Sequence, residues 1–294
     1  MLQLMKNFLN GLSIGIIQII PGISGATIAV VLGFYFELID IINHFTRDIK
    51  KSLIFIIPFL LGMICGVLAF ASLIHFLMTN YSFPTMFFFI GLIAGIIPHV
   101  YAKINQQGKR LSIRVMLMVL IPFVLLVTLS FLGSGRPLVN PGEHTLGFPF
   151  MIYIFIAGIL AAAALIIPAV SGSFILLIMG LYPLAIYTID QMRVYLTDIS
   201  NIALLPNIFK VALPLGMGIL AGIIITARII EKLLHKHHTM LYALILGLIL
   251  GSICLLVREP IVYQSGITAG FIIIGIITFC TGSVLSYIAG RKRL

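Results

Sequence analysis

Two runs of proline, glycine and hydroxyl residues interrupt an otherwise apolar chain, and they interrupt it in the same way. Residues 19–35 read IIPGISGATIAVVLGFY, and residues 166–182 read IIPAVSGSFILLIMGLY. Pro21 pairs with Pro168, Ser24 with Ser171, Gly25 with Gly172, Gly33 with Gly180 and Tyr35 with Tyr182, every pair 147 residues apart in a chain of 294. Each break starts a new helix, near Ala26 in the first run and near Ser173 in the second. The first N–H groups of a helix have no partner inside it, and the helix dipole adds partial positive charge there. With the hydroxyls of Ser24, Thr27, Ser171 and Ser173 alongside, the chemistry on offer is anion binding. The candidate site is therefore Pro21, Gly22, Ser24, Gly25, Ala26 and Thr27 together with Pro168, Ser171, Gly172 and Ser173. A single such break reads as a helix kink; two in related halves read as a site, because broken helices that meet at mid-bilayer are a recurrent way to hold a solute.

The elements that position these residues are set by lipid. The chain is 61% hydrophobic and only 9% charged, where a soluble domain carries about 25% charged residues. Six apolar runs, 53–77, 85–101, 115–132, 211–230, 240–257 and 267–289, are near or above the roughly 17–25 residues that cross a bilayer. Two further regions carry the breaks: 8–20 followed by 26–42, and 151–167 followed by 173–189. Backbone broken at membrane depth must find partners inside the protein or line a wet cavity. Each interrupted region is read as a broken or re-entrant hairpin that enters and leaves on one side, with three crossings after it. The second hairpin then begins on the opposite side from the first. The expected fold is an all-α polytopic membrane protein of two inverted-topology repeats, 1–149 and 150–294. Hairpins 8–42 and 151–189 lead them.

Charge gives an independent reading of the same topology. This arrangement puts Lys6, Arg47, Lys50, Lys51, Lys103, Lys109, Arg110, Arg114, Arg228, Lys232, Lys236, Arg291, Lys292 and Arg293 on one side, leaving Arg136, Arg193, Lys210 and Arg258 on the other. Basic loops mark the cytoplasmic face, so both termini are expected there. The net charge of +10 is thus a topology signal and not a nucleic-acid footprint. The duplication continues past the breaks: Pro58-x3-Gly62-x3-Gly66 is echoed by Pro214-x3-Gly218-x3-Gly222, and Gly91-Leu-Ile-Ala-Gly95 by Gly247-Leu-Ile-Leu-Gly251, all at an offset of 156. These glycines are read as close helix packing.

Other candidates lie outside the breaks. Glu37, on the helix after the first break, is a proton or sodium site if buried and a solvated boundary residue if not. Arg136, Arg193 and Arg258 are outer cations able to meet an anionic lipid headgroup or to pair with Asp190, Asp198, Glu143 or Glu259. Cys65, Cys254 and Cys280 have no disulfide or metal-ligand spacing and are read as small buried apolar residues. His235–His238, HKHH, reads as a solvated loop. No cofactor and no metal are expected, and the oligomeric state is left open. The apolar run after Lys6 has no small-x-small cleavage site behind it and is expected to be retained.

The stretch NGLSIGIIQIIPGISGATIAVVLGFY resembles the N-terminal signature of the bacterial polyprenyl-phosphate transporter family, and the likeness extends along essentially the whole chain. The resemblance implies a flippase of the bacterial cytoplasmic membrane that returns undecaprenyl phosphate from the outer to the inner leaflet for cell-envelope synthesis. It carries over to Pro21, Gly22, Ser24, Gly25, Thr27, Pro168, Ser171 and Gly172. Ala169 stands where the first copy has Gly22, so the halves are not equivalent. A phosphate headgroup needs a polar, electropositive passage, while an isoprenoid tail can stay in lipid. Undecaprenyl-pyrophosphate phosphatases are the enzymatic alternative. They follow the first serine with an arginine, which Pro-Gly-Ile-Ser-Gly-Ala-Thr lacks here, as it lacks the base that phosphoryl chemistry requires. An ion-coupled small-anion transporter with Glu37 as the coupling residue is the other alternative.

Overall fold

The structure is a computed structural model of the chain, and it describes residues 2–18, 20, 24–105, 112–131, 147–168, 171–198, 201–258, 260–263 and 268–291. The first half runs α1 (Leu2–Gln18), α2 (Gly25–Val31), α3 (Tyr35–Asn43), α4 (Ile49–Asn80), α5 (Ser82–Gly95), α6 (Ile97–Asn105) and α7 (Ile113–Phe131). The second runs α8 (Phe148–Ile166), α9 (Gly172–Ile178), α10 (Tyr182–Thr197), α11 (Leu205–Lys236), α12 (His238–Arg258) and α13 (Ala269–Arg291), with short 3-10 turns at Ile202–Leu204 and Pro260–Tyr263. There is no strand among the described residues, and the fold is an all-α polytopic membrane protein. Among the described residues, six segments are long and apolar enough to cross a bilayer: α4, α5 with α6, α8, α11 with the turn before it, α12 and α13. The expected crossing at 115–132 is α7, which is apolar but shorter over its described side chains.

The breaks at Pro21–Gly25 and Pro168–Gly172 fall where the sequence put them, between α1 and α2 and between α8 and α9. A second break in each region was not expected. The runs 26–42 and 173–189 are each two helices, bent by 116° between α2 and α3 and by 113° between α9 and α10. Gly33 has φ 73° and Gly180 φ 66°, a left-handed conformation that costs other residues a Cβ clash. The N–H of Gly33 donates to the Val30 carbonyl and that of Phe34 to the Ala29 carbonyl; Gly180 and Leu181 repeat this onto Leu177 and Leu176. This closing pattern satisfies the last carbonyls of a helix before the chain turns away.

The long helices meet along glycine seams. A Cβ on Gly11 would run into the Phe59 carbonyl and one on Gly62 into the Phe8 carbonyl, so α1 and α4 touch backbone to backbone. In the second half Gly158 faces Leu215 and Gly218 faces Phe155, seating α8 on α11. Gly91 and Gly95 meet Phe279 and Ser283 of α13, and Gly247 and Gly251 meet Val119 and Leu126 of α7. The close-packing role expected of Gly62, Gly218, Gly91, Gly95, Gly247 and Gly251 is what the structure shows, and Gly11 and Gly158 join them. Lipid tails remove the hydrophobic drive for helix association, leaving van der Waals contact, for which small residues are suited. The last two seams exchange partners across the halves: α5 packs on α13, and α12 on α7. The outer faces of α4, α11 and α13 present Leu61, Ile64, Leu68, Leu220, Ile273 and Ile276 outward, as helices solvated by lipid do. Cys65, Cys254 and Cys280 also lie on outward faces. This corrects the expectation of burial: an apolar run carries no sign of which face a small residue takes when the surroundings are apolar too.

Candidate functional site

The two breaks share one backbone geometry. Ser24 precedes α2 with φ −86° and ψ 130°; Ser171 precedes α9 with φ −94° and ψ 129°. The Ser24 carbonyl accepts from the N–H groups of Thr27 (3.1 Å) and Ile28 (3.4 Å), and the Ser171 carbonyl from those of Phe174 (3.1 Å) and Ile175 (3.3 Å). Neither serine side chain caps its own helix, so each hydroxyl is left for another use.

Their surroundings differ. Every residue of α2 is buried, and none of α9 is. Helix α2 packs against α1, α5, α8 and α13, whereas α9 leans on α8 and α10. Ser24 is 6% exposed and Thr27 1%, and the Ser24 hydroxyl has no hydrogen-bond partner among the described residues. In the second copy the Ser171 and Ser173 hydroxyls lie 2.8 Å apart and exposed. The head of α2 is therefore enclosed within the bundle and the head of α9 is open.

A cavity of about 180 Å³ lies against the first break, with Gly25 and Ala26 on its wall together with Gln18, Tyr35, Phe59 and Ile166. Tyr35 donates from its buried hydroxyl to the Ile166 carbonyl at 3.2 Å, tying the start of α3 to the end of α8, two residues before Pro168. The two interrupted segments are neighbours through that bond. The rest of the lining is aliphatic, and no charged side chain belongs to it. No side chain of this wall supplies the electropositive passage expected from the sequence; the wall suits hydrocarbon. Tyr35 and Gln18 were not among the candidates. The recurrence of Tyr35 as Tyr182 was the available signal.

The charged candidates stand apart from this centre. Glu37 lies on α3 and accepts from Lys6 of α1 at 2.8 Å, with Gln3 donating to its other oxygen at 3.2 Å; its side chain is 33% exposed. It is a boundary carboxylate with a cationic partner. Arg193 pairs with Asp190 one turn away on α10 at 2.8 Å, well exposed. Arg258 ends α12. Pro21, Gly22 and Arg136 lie outside the described residues, and Pro168 is buried.

Broken helices, glycine seams and outward apolar faces define a multi-pass helical membrane protein. Residues 14–269 match the family described as undecaprenyl phosphate translocase-like, and the chain belongs to that family. It is similar to a polyprenyl-phosphate transporter of Staphylococcus aureus, 33% identical over 249 residues that make up 84% of each chain. It is also similar to one of Vibrio cholerae, 27% identical over 263 residues, 85% of this chain and 76% of the other. No solved structure matches.

Proposed function

We propose that this chain transports a polyprenyl phosphate across the bilayer. In the finer reading it returns undecaprenyl phosphate from the outer to the inner leaflet of the bacterial cytoplasmic membrane, recycling the carrier lipid for cell-envelope synthesis. Both termini are cytoplasmic, and the halves 1–149 and 150–294 are inverted repeats. The matched seams and the exchange of α5 and α12 between halves support that relation. The phosphate is bound at the head of α2 by the amides of Gly25 and Ala26 with the hydroxyls of Ser24 and Thr27, and at the head of α9 by the amides of Gly172 and Ser173 with the hydroxyls of Ser171 and Ser173; Pro21, Gly22 and Pro168 belong to the same two motifs. The first isoprene units lie along the aliphatic wall beside Gly25. Coupling to protons or sodium runs through Glu37, released from Lys6.

The buried, unpartnered hydroxyl of Ser24 at the head of α2, in a chain of this family, carries the reading. A group left unbonded in the interior costs stability unless something else bonds it. The test is ligand-induced thermal stabilisation of the purified protein, since a ligand that binds the folded state raises its stability. Polyprenyl phosphate should raise the Tm of the wild type, the free polyprenol should not, and Ser24→Ala with Ser171→Ala should remove the response. An equal response to the alcohol, or an undiminished one in the double variant, contradicts headgroup recognition at the breaks.

A further inference from the structure

Away from the breaks, α3 of the first half and α11 of the second meet at the end of the bundle that carries Lys6 and Lys51. Asn43 donates to the Ala227 carbonyl there at 3.0 Å. One turn further along, Asp40, His44 and Glu231 offer ligand atoms that all lie within 4.8 Å of one another, the one such trio among the described residues. No local pattern points to a metal site, because Asp40 and Glu231 are 191 residues apart. We propose that these three side chains bind a divalent transition-metal cation of the zinc class.

The imidazole geometry carries the argument. His44 Nδ1 donates to the Asp40 backbone carbonyl at 3.1 Å, so Nδ1 carries the proton; with that carbonyl as the acceptor, the Asp40 carboxylate, whose Oδ1 also lies 3.1 Å from Nδ1, remains available as a ligand. A metal-binding histidine almost always donates its second N–H to a carbonyl or carboxylate in this way, which fixes the tautomer and turns the other nitrogen to the metal. That other nitrogen, Nε2, faces Glu231 Oε1 at 4.0 Å. Hydrogen bonds close at about 2.7–3.2 Å, so this gap is too wide for one. A tetrahedral ion with bonds of about 2.0–2.2 Å would hold the two atoms about 3.4 Å apart, a small closure from the gap seen here. A nitrogen lone pair facing a carboxylate suits a cation between them, and Asp40 completes a donor set with a formal charge of −2. The imidazole selects a transition metal over magnesium or calcium, which prefer all-oxygen shells. The side chains are 53%, 39% and 27% exposed for Asp40, His44 and Glu231, leaving room for water on the ion.

The trio is not inherited from the duplication. At the repeat offsets, Asp40 and His44 correspond to Tyr187 and Gln191, and Glu231 to His75. Nor does α10 pack on α4 as α3 packs on α11. A bound ion would pin the first hairpin to the second half at a joint the other hairpin lacks.

The test is Zn2+ binding to the full-length, tag-free protein, followed by calorimetry and by the visible absorption of Co2+ as a substitute. The wild type should bind one ion at the trio, with a rise in Tm. His44→Gln and Glu231→Gln should each weaken binding at least about tenfold and abolish the Tm rise, with the metal-free Tm of each variant showing that it folds. A triple His235→Ala, His237→Ala, His238→Ala variant should bind as the wild type does. Absence of binding in the wild type, or binding lost in the triple variant and kept in His44→Gln, overturns the proposal.

Discussion

A hydroxyl buried without a partner lowers stability, and Ser24 has one. Ser24→Ala should therefore leave the apparent Tm unchanged or raise it, by up to about 1–3 kcal/mol of folding free energy, while lowering phosphate-lipid binding. A structural serine would show the opposite pattern, destabilised and still active. Glu37 invites a different comparison. Its bond to Lys6 is partly exposed, and such pairs are worth under about 1 kcal/mol. Glu37→Gln should hardly change the Tm, and should flatten any dependence of transport on a proton or sodium gradient. An unchanged gradient dependence removes Glu37 from coupling. The sequence exposed Ser24 because the residue recurs at a fixed offset beside proline and glycine. It did not expose the role of Tyr35, whose hydroxyl meets a carbonyl 131 residues away, nor the joining of His44 to Glu231. Contacts between distant helices leave no local pattern.

At the scale of the helices, apolar runs and the Pro-x-x-Ser-Gly breaks mark where the helices lie, while α11 runs six residues past its apolar run at each end and the run 85–101 is divided between α5 and α6. The second bend escaped because 26–42 and 173–189 are mostly apolar and read as one helix each, while a single glycine, Gly33 or Gly180, does the turning. Gly33→Ala and Gly180→Ala should each cost about 1–2 kcal/mol, the penalty of a left-handed backbone, read as a fall in Tm in detergent. The seams make a second contrast. Gly62→Val drives a side chain into the Phe8 backbone, whereas Gly216 on α11 has nothing within 4 Å of a new Cβ. Gly62→Val should abolish a monodisperse folded peak on size exclusion, and Gly216→Ala should leave it intact. Equal behaviour of the two would mean that α1 and α4 do not pack as described.

For the whole molecule, the legible part was the duplication and the lipid solvent; the asymmetry between the enclosed head of α2 and the open head of α9 was not. Near-identical motifs fold alike locally, and the neighbours that bury α2 but not α9 come from distant segments of both halves. Such inequality is what alternating exposure of two related halves requires in any one state. The charge bias makes a topological prediction in a cysteine-free background. A cysteine at Asn140 should react with an impermeant thiol reagent from outside, and one at Gln107 should not; both positions lie outside the described residues. Reversed labelling would break the inverted arrangement. The most direct measurement is movement of a labelled polyprenyl phosphate between leaflets of liposomes holding the purified protein. The wild type should accelerate flipping without releasing phosphate, and Ser24→Ala with Ser171→Ala should not. Phosphate release from the diphosphate, ion flux without lipid movement, or full flipping by the double variant would contradict lipid transport at the breaks.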